Sequence, residues 1–253
     1  MRFAEKVVAI TGGAQGLGAH YAARFAAEGA RIAVCDINSC DATVNSLQAG
    51  GAEALGAHCD VTSAADCEAF IDAVRTEFGR LDVLINNAAL YGGLSFGPFS
   101  GIDEAEWDAC MSINVKGIWQ MCKAAVPLMK EGEGGGSIVN VASLAATFGM
   151  PYGVHYSASK GAVISMTRAM AREIAKTEIR VNAVAPSLID TPGTKAFLND
   201  MEERMTSAVV QGQSIKRQVG QDDVAGTVLY LASDEAKFIT GQTIAVDGGT
   251  VML

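Results

Sequence analysis

Tyr156-Ser157-Ala158-Ser159-Lys160 sets a phenol and an ammonium four residues apart, on one face wherever the segment is helical. A phenol titrates near about 10, too high for a base at neutral pH. An ammonium held beside it stabilises the phenolate and lowers that value, so that Tyr156 could take a proton from an alcohol. Ser143 ends an apolar run, Ser137–Ala142. Its hydroxyl there could orient a substrate oxygen or simply satisfy turn backbone.

A second motif, Thr11-Gly12-Gly13-Ala14-Gln15-Gly16-Leu17-Gly18, joins the first apolar run to the first helical stretch. Its glycines allow a sharp turn and let a pyrophosphate approach backbone N–H groups at a helix N-terminus. The spacing is Gly-x-x-x-Gly-x-Gly, so the cluster alone is a plain turn as readily as a nucleotide site. Asp36 decides between them. It ends the second run 36 − 16 = 20 residues after Gly16, where a carboxylate can accept from both hydroxyls of an adenosine ribose. Its charge repels a ribose 2′-phosphate, and Ile37 beside it is no cation, so NAD is expected over NADP. Asp60-Val61 suits the adenine edge and its pocket, or Asp60 caps a helix.

The elements that position these groups follow from period. Apolar runs recur at Val7–Thr11, Arg31–Asp36, Ala54–Asp60, Leu81–Asn86, Ser137–Ala142, Ile179–Ala185 and Thr243–Val246. Helical spacing occupies 16–28, 38–49, 63–78, 103–131, 150–177 and 221–232. This alternation predicts a Rossmann-like, doubly wound α/β fold: about seven parallel strands with helices on both faces. With no linker composition anywhere, 1–253 reads as one domain. The stretch 186–220 is the least regular and is expected to close over a substrate.

Taken together, these residues resemble the short-chain dehydrogenase/reductase family over essentially the whole chain. The match includes Thr11-Gly12-Gly13 with Gly16 and Gly18, Asp60-Val61, Asn86-Asn87-Ala88, Asn114, Ser143, Tyr156 with Lys160, Pro186 with Thr191, and Asp247-Gly248-Gly249. The resemblance implies that Tyr156 is the acid/base and Ser143 its oxygen-orienting partner. It makes Lys160 the holder of the nicotinamide ribose and the group that depresses the phenol's pKa. Asn114 would hold a water in the proton relay; without the family it reads as a satisfied core amide. NAD would lie along Gly12, Gln15, Gly16, Leu17, Gly18, Asp36, Ile37, Asp60, Val61, Asn87, Ala88, Pro186, Ile189 and Thr191, with Asn87 and Ile189 contributing backbone. Ala89 and Ser187 stand where the family usually has glycine, and neither removes a reacting group.

Within the family the chain resembles bacterial NAD-dependent secondary-alcohol dehydrogenases. The family's pocket maps onto Leu90, Tyr91, Leu144, Ala145, Met150, Tyr152, Leu188, Phe197, Met201 and Met205, with Ser143 on the substrate oxygen. These mostly apolar side chains suit an aryl or alicyclic alcohol and its ketone better than a sugar. The alternatives are a 3-oxoacyl-thioester reductase of the same family, which Asp36 disfavours, and a non-catalytic NAD-binding redox sensor, which would need no proton relay.

Composition narrows the partners. With 28 acidic against 19 basic residues the net charge is −9, which argues against nucleic acid or an anionic membrane. The six cysteines form no Cys-x-x-Cys pair, the first apolar run is too short for a signal-peptide core, and no apolar stretch has transmembrane length. A cytoplasmic protein is expected, a homotetramer by resemblance. His20, His58 and His155 are scattered, so no metal is expected. His155 adjoins Tyr156 but points about 100° away, and reads as structural or pocket-lining.

Overall fold

β1 (Val7–Thr11) is buried at every position, and its residues alternate between two cores: Val7 and Ala9 join one, Val8 and Ile10 the other. Such two-sided burial suits an interior parallel strand. The computed structural model describes residues 1–132, 134–191, 193–195 and 202–252. The strands β2 (Arg31–Asp36), β3 (Ala54–His58), β4 (Val83–Asn86), β5 (Gly136–Val141), β6 (Ile179–Pro186) and β7 (Thr243–Val246) complete one sheet. Its order is β3-β2-β1-β4-β5-β6-β7, and every pairing is parallel.

In chain order the helices are α1 (Gly16–Ala27), α2 (Asp41–Ala49), α3 (Ala64–Phe78), α4 (Glu104–Met111), α5 (Gly117–Glu131), α6 (Ala145–Phe148), α7 (Val154–Ile174), α8 (Glu202–Gly212) and α9 (Gln221–Ala232). One face of the sheet is covered by α3, α5 and α7, through Phe70, Met121 and Val163 among others. The other is covered by α1, α2 and α9, through Phe25, Leu47 and Val228. The doubly wound α/β expectation therefore holds. Parallel strands gather their C-terminal ends, among them Thr11, Asp36, Asn86, Val141 and Pro186, at one edge of the sheet. Strand order reverses between β1 and β4, the place where open α/β sheets take ligands.

Four differences from the sequence reading bear on the site. The stretch 103–131 is not one helix: a π turn at Ser112–Lys116, with Gly117 N–H bonded to Ser112 C=O, separates α4 from α5. Helical spacing alone does not distinguish the two turns. The stretch 150–177 starts late, at Val154, because Gly149 (φ +77°) ends α6 and Pro151 and Gly153 follow. β3 stops at His58, so Asp60 lies beyond the strand. Nor does Asp60 cap the helix: Ser63 caps α3 by accepting from Asp66 N–H, while Asp60 Oδ1 accepts from Thr62 N–H and Oγ1, both at 2.8 Å. Finally, 186–220 contains α8 and a parallel bridge between Ile189 and Val219. Among the described residues no helix is long and apolar enough to cross a membrane.

Candidate active site

At the switch point the ends of β1 and β4 are stitched together by side chains. Thr11 Oγ1 accepts from Asn87 N–H at 3.1 Å and Ala88 N–H at 3.0 Å, while Asn87 Nδ2 donates to the carbonyls of Thr11 and Gly12. Gly12 (φ +68°) has no room for a Cβ, which would sit 2.9 Å from Ala88 Cα. A Cβ on Gly18 would lie 2.0 Å from Gly12 O. Gly16 differs: its φ of +57° favours glycine, but nothing lies within 4 Å of its Cβ direction. Gln15 is extended and caps α1 with no side-chain hydrogen bond, and the first turn holds no acid. An uncapped helix start with an open, glycine-lined approach is suited to a phosphate.

Around this loop, Asp36 Oδ2 accepts from Ala14 N–H at 3.2 Å and Oδ1 accepts from Asn38 N–H and Nδ2. Since an ionised carboxylate offers about four acceptor sites, it retains capacity for another donor. Ile37 is 63% exposed beside it. Leu17 packs against the α1 core, whereas Val61 is buried under Gly117, with its carbonyl taken by Gln120. Across the edge, Pro186 C=O accepts from Leu144 N–H, Ile189 is buried, and Thr191 Oγ1 accepts from Thr194 N–H.

The second cluster lies beside β5. Tyr156 and Lys160 are both buried one turn apart on α7, with Lys160 Nζ 5.7 Å from the centre of the Tyr156 ring and bonded to Val141 C=O at 2.8 Å. Burial pushes the Tyr156 phenol up to about 12, against a downward pull from the Ser143 hydroxyl. Burial also brings the Lys160 ammonium down to about 8. The resemblance makes Lys160 the group that depresses the phenol; the largest influence on the phenol here is burial, which raises it, with the Ser143 hydroxyl pulling it down. Ser143 Oγ also accepts from Ala145 N–H, so it serves its turn as well. Asn114 is wholly buried, and its side chain bonds to Leu90 N–H and C=O, Cys110 Sγ and Ser159 Oγ.

Tyr156 also belongs to an apolar cluster with Leu94, Cys110 and Ala145. Leu90, Tyr91, Phe96, Met150, Leu188 and Met205 pack against it. The Tyr91 and Tyr156 rings lie 4.9 Å apart at 41°, and burial pushes the Tyr91 phenol up. Tyr152 is exposed and meets Phe96. Met201 and Phe197 lie outside the described residues. Thr43, which sequence reasoning missed, holds the glycine loop by donating to Gly13 C=O at 3.0 Å or Ala14 C=O at 3.1 Å. Leu94, Phe96, Cys110 and Glu106 were missed too: they come from segments that only the tertiary fold brings to the phenol.

A family profile described as enoyl-(acyl carrier protein) reductase matches residues 12–251. The chain belongs to the short-chain dehydrogenase/reductase family. This short-chain dehydrogenase/reductase is 38% identical over 249 residues to D-threitol dehydrogenase of Mycolicibacterium smegmatis, covering 96% of this chain and 92% of the relative. It is 36% identical over 254 residues to a 3-oxoacyl-(acyl-carrier-protein) reductase of Thermotoga maritima, with 100% of each chain covered. Among solved structures, levodione reductase superposes with a TM-score of 0.90 at 33% identity, covering 98% of each chain. As a short-chain dehydrogenase/reductase the chain is an oxidoreductase, of a family whose Rossmann-type fold takes a nicotinamide cofactor.

Proposed function

We propose that this enzyme is NAD-dependent and interconverts a hydrophobic secondary alcohol, aryl or alicyclic, with its ketone. The observation that carries the substrate class is the packing of Tyr156 into the apolar cluster of Leu94, Ala145, Tyr91, Met150 and Leu188. A sugar alcohol would bury hydroxyls there that need partners, at a cost of about 1–3 kcal/mol for each one left unpaired.

The residues present fit a dinucleotide. Gly16 leaves its approach open, α1 starts uncapped, and Asp36 retains acceptor capacity. The cofactor's phosphates would be held by the loop Gly12–Gly18, and its adenosine end by Asp36 with Ile37, Asp60 and Val61. The nicotinamide end would meet Asn87, Ala88, Pro186, Ile189 and Thr191. When bound, the nicotinamide supplies the hydride chemistry of the reaction. Tyr156 Oη holds or takes the proton of the alcohol oxygen, and Ser143 donates to that oxygen and orients it. Lys160, as an ammonium, favours the phenolate and binds the nicotinamide ribose. Asn114 ties the π turn to α7 and to the Leu90 backbone, and would hold a water of the proton relay.

Asp36 favours NAD, because its charge opposes a 2′-phosphate. A homotetramer built on the long helices and β7 is supported by the half-exposed Trp119 on α5 and by β7 standing at the sheet edge. Six buried free cysteines support a reducing, cytoplasmic setting. The second reading, a 3-oxoacyl-thioester reductase, is favoured by the full-length similarity to the Thermotoga maritima enzyme.

The deciding experiment follows reduced-cofactor formation by absorbance with NAD and NADP in turn, across aryl, alicyclic, sugar and hydroxyacyl-thioester alcohols. NAD-linked turnover of aryl or alicyclic alcohols is expected. Activity confined to NADP or to thioesters would replace this reading with the second.

A further inference from the structure

Glu106, Cys110 and Asn114 follow at four-residue spacing along α4 and the π turn, and the outer two each hold two separate segments. Asn114 Oδ1 accepts from Leu90 N–H at 2.7 Å, and its Nδ2 donates to Leu90 C=O or Ser159 Oγ, both 3.1 Å away. Glu106 Oε1 accepts from Ser95 N–H at 2.7 Å and meets His155 Nε2 at 2.8 Å, while Oε2 accepts from Ser95 Oγ at 2.7 Å. His155 and Ser159 are one turn apart on α7, on either side of Tyr156 in the chain. Leu90 and Ser95 bracket Tyr91 and Leu94 of the apolar wall. One face of α4 and the π turn thus grips the wall at two points and the helix carrying the phenol at two points.

His155 is wholly buried, and its Nδ1 is buried with no hydrogen-bond partner. A proton on Nδ1 would leave an orphan donor, which proteins avoid more strongly than an unused acceptor. Nε2 is the ring nitrogen that donates to the Glu106 carboxylate. Burial pushes the Glu106 carboxyl up, but hydrogen bonds from Ser95 and His155 outweigh it and keep the group ionised.

We infer that Glu106, with His155, is a positioning residue: it sets the distance between the wall 90–97 and Tyr156, and so selects which alcohol fits. This rests on the reading of Tyr156 as the acid/base, but the clamp also has a readout that needs no turnover.

The experiment compares wild type with Glu106→Ala, Glu106→Gln and Ser95→Ala by amide hydrogen exchange at 90–97, and by kcat and KM for a hydrophobic secondary alcohol. Glu106→Ala should speed exchange at 90–97 by about tenfold and raise KM by about tenfold, with kcat within about threefold and NAD affinity unchanged. Glu106→Gln should recover part of the protection, since its amide oxygen can still accept from Ser95. Ser95→Ala, at an exposed position, keeps the main-chain bond and should show a smaller change in the same direction; it carries the test where Glu106→Ala does not fold. Unchanged exchange in the folded variants overturns the clamp, and so does a fall in kcat at constant KM, which would put Glu106 in proton transfer. A nitrogen NMR signature with the His155 proton on Nδ1 overturns the donor assignment. If wild type turns over no alcohol the functional reading fails by itself, and the exchange comparison still decides the clamp.

Discussion

The ends of this enzyme proposed for the nucleotide and for the alcohol are held together by different means. At the first, Thr11, Thr43 and Asn87 bond directly to the backbone of the glycine loop or of its neighbour strand, and glycine fills the places where a Cβ would collide. At the second, the side chains of Leu94, Ala145, Met150 and Leu188 meet by apolar packing, and the wall that carries some of them hangs from side chains of α4 and the π turn. Hydrogen-bonded backbone gives one shape, suited to a ligand that never varies; apolar packing tolerates replacement, suited to one that does.

The comparison can be broken or sharpened by four substitutions. The largest effect belongs to Tyr156→Phe, which should lower kcat about 10³-fold while leaving NAD affinity intact by titration; retained turnover would remove Tyr156 from the chemistry. Next comes Thr11→Val, which takes the shared acceptor from two N–H groups and should cost about 2–4 kcal/mol in urea unfolding. A cost below about 1 kcal/mol would mean the stitching is ornamental.

The third effect depends on pH. Burial lowers Lys160 from an ordinary 10.5 to about 8, so between those values the unfolded chain holds a proton that the folded chain has released. Stability therefore rises with pH across that window. Relative to Lys160→Met, wild type should gain about 2 kcal/mol between about pH 7.5 and 9.5, and a flat difference would contradict the desolvation of the ammonium. Smallest is Met150→Leu, which should change stability by less than about 1.5 kcal/mol yet reorder the preferred alcohols in a turnover panel.

What could be read beforehand divides along the same line. Strands such as Val7–Thr11 announce themselves because burial on both faces demands an unbroken apolar run, and Asp36 is legible because it ends such a run at a fixed distance from a glycine turn. Tyr156 and Lys160 share a helical face, so local spacing suffices to pair them. Glu106 and His155 are 49 residues apart, and Ser95 and Glu106 are 11 apart in different elements. No periodicity joins them; only the packing of α4 on α7 does. The π turn escaped because its residues continue the helical pattern on either side, and the end of β3 because Cys59-Asp60-Val61 keeps strand-like composition after pairing has ceased.

That π turn works as a phase shifter. One additional residue in a turn rotates everything downstream by about 100°. The rod from Glu104 to Glu131 can therefore show Glu106 to α7 at one end and turn Met121, Ala125 and Leu128 into the core at the other. Deleting a single residue between Ser112 and Gly117 would bring the rod back into step and set those two faces against each other.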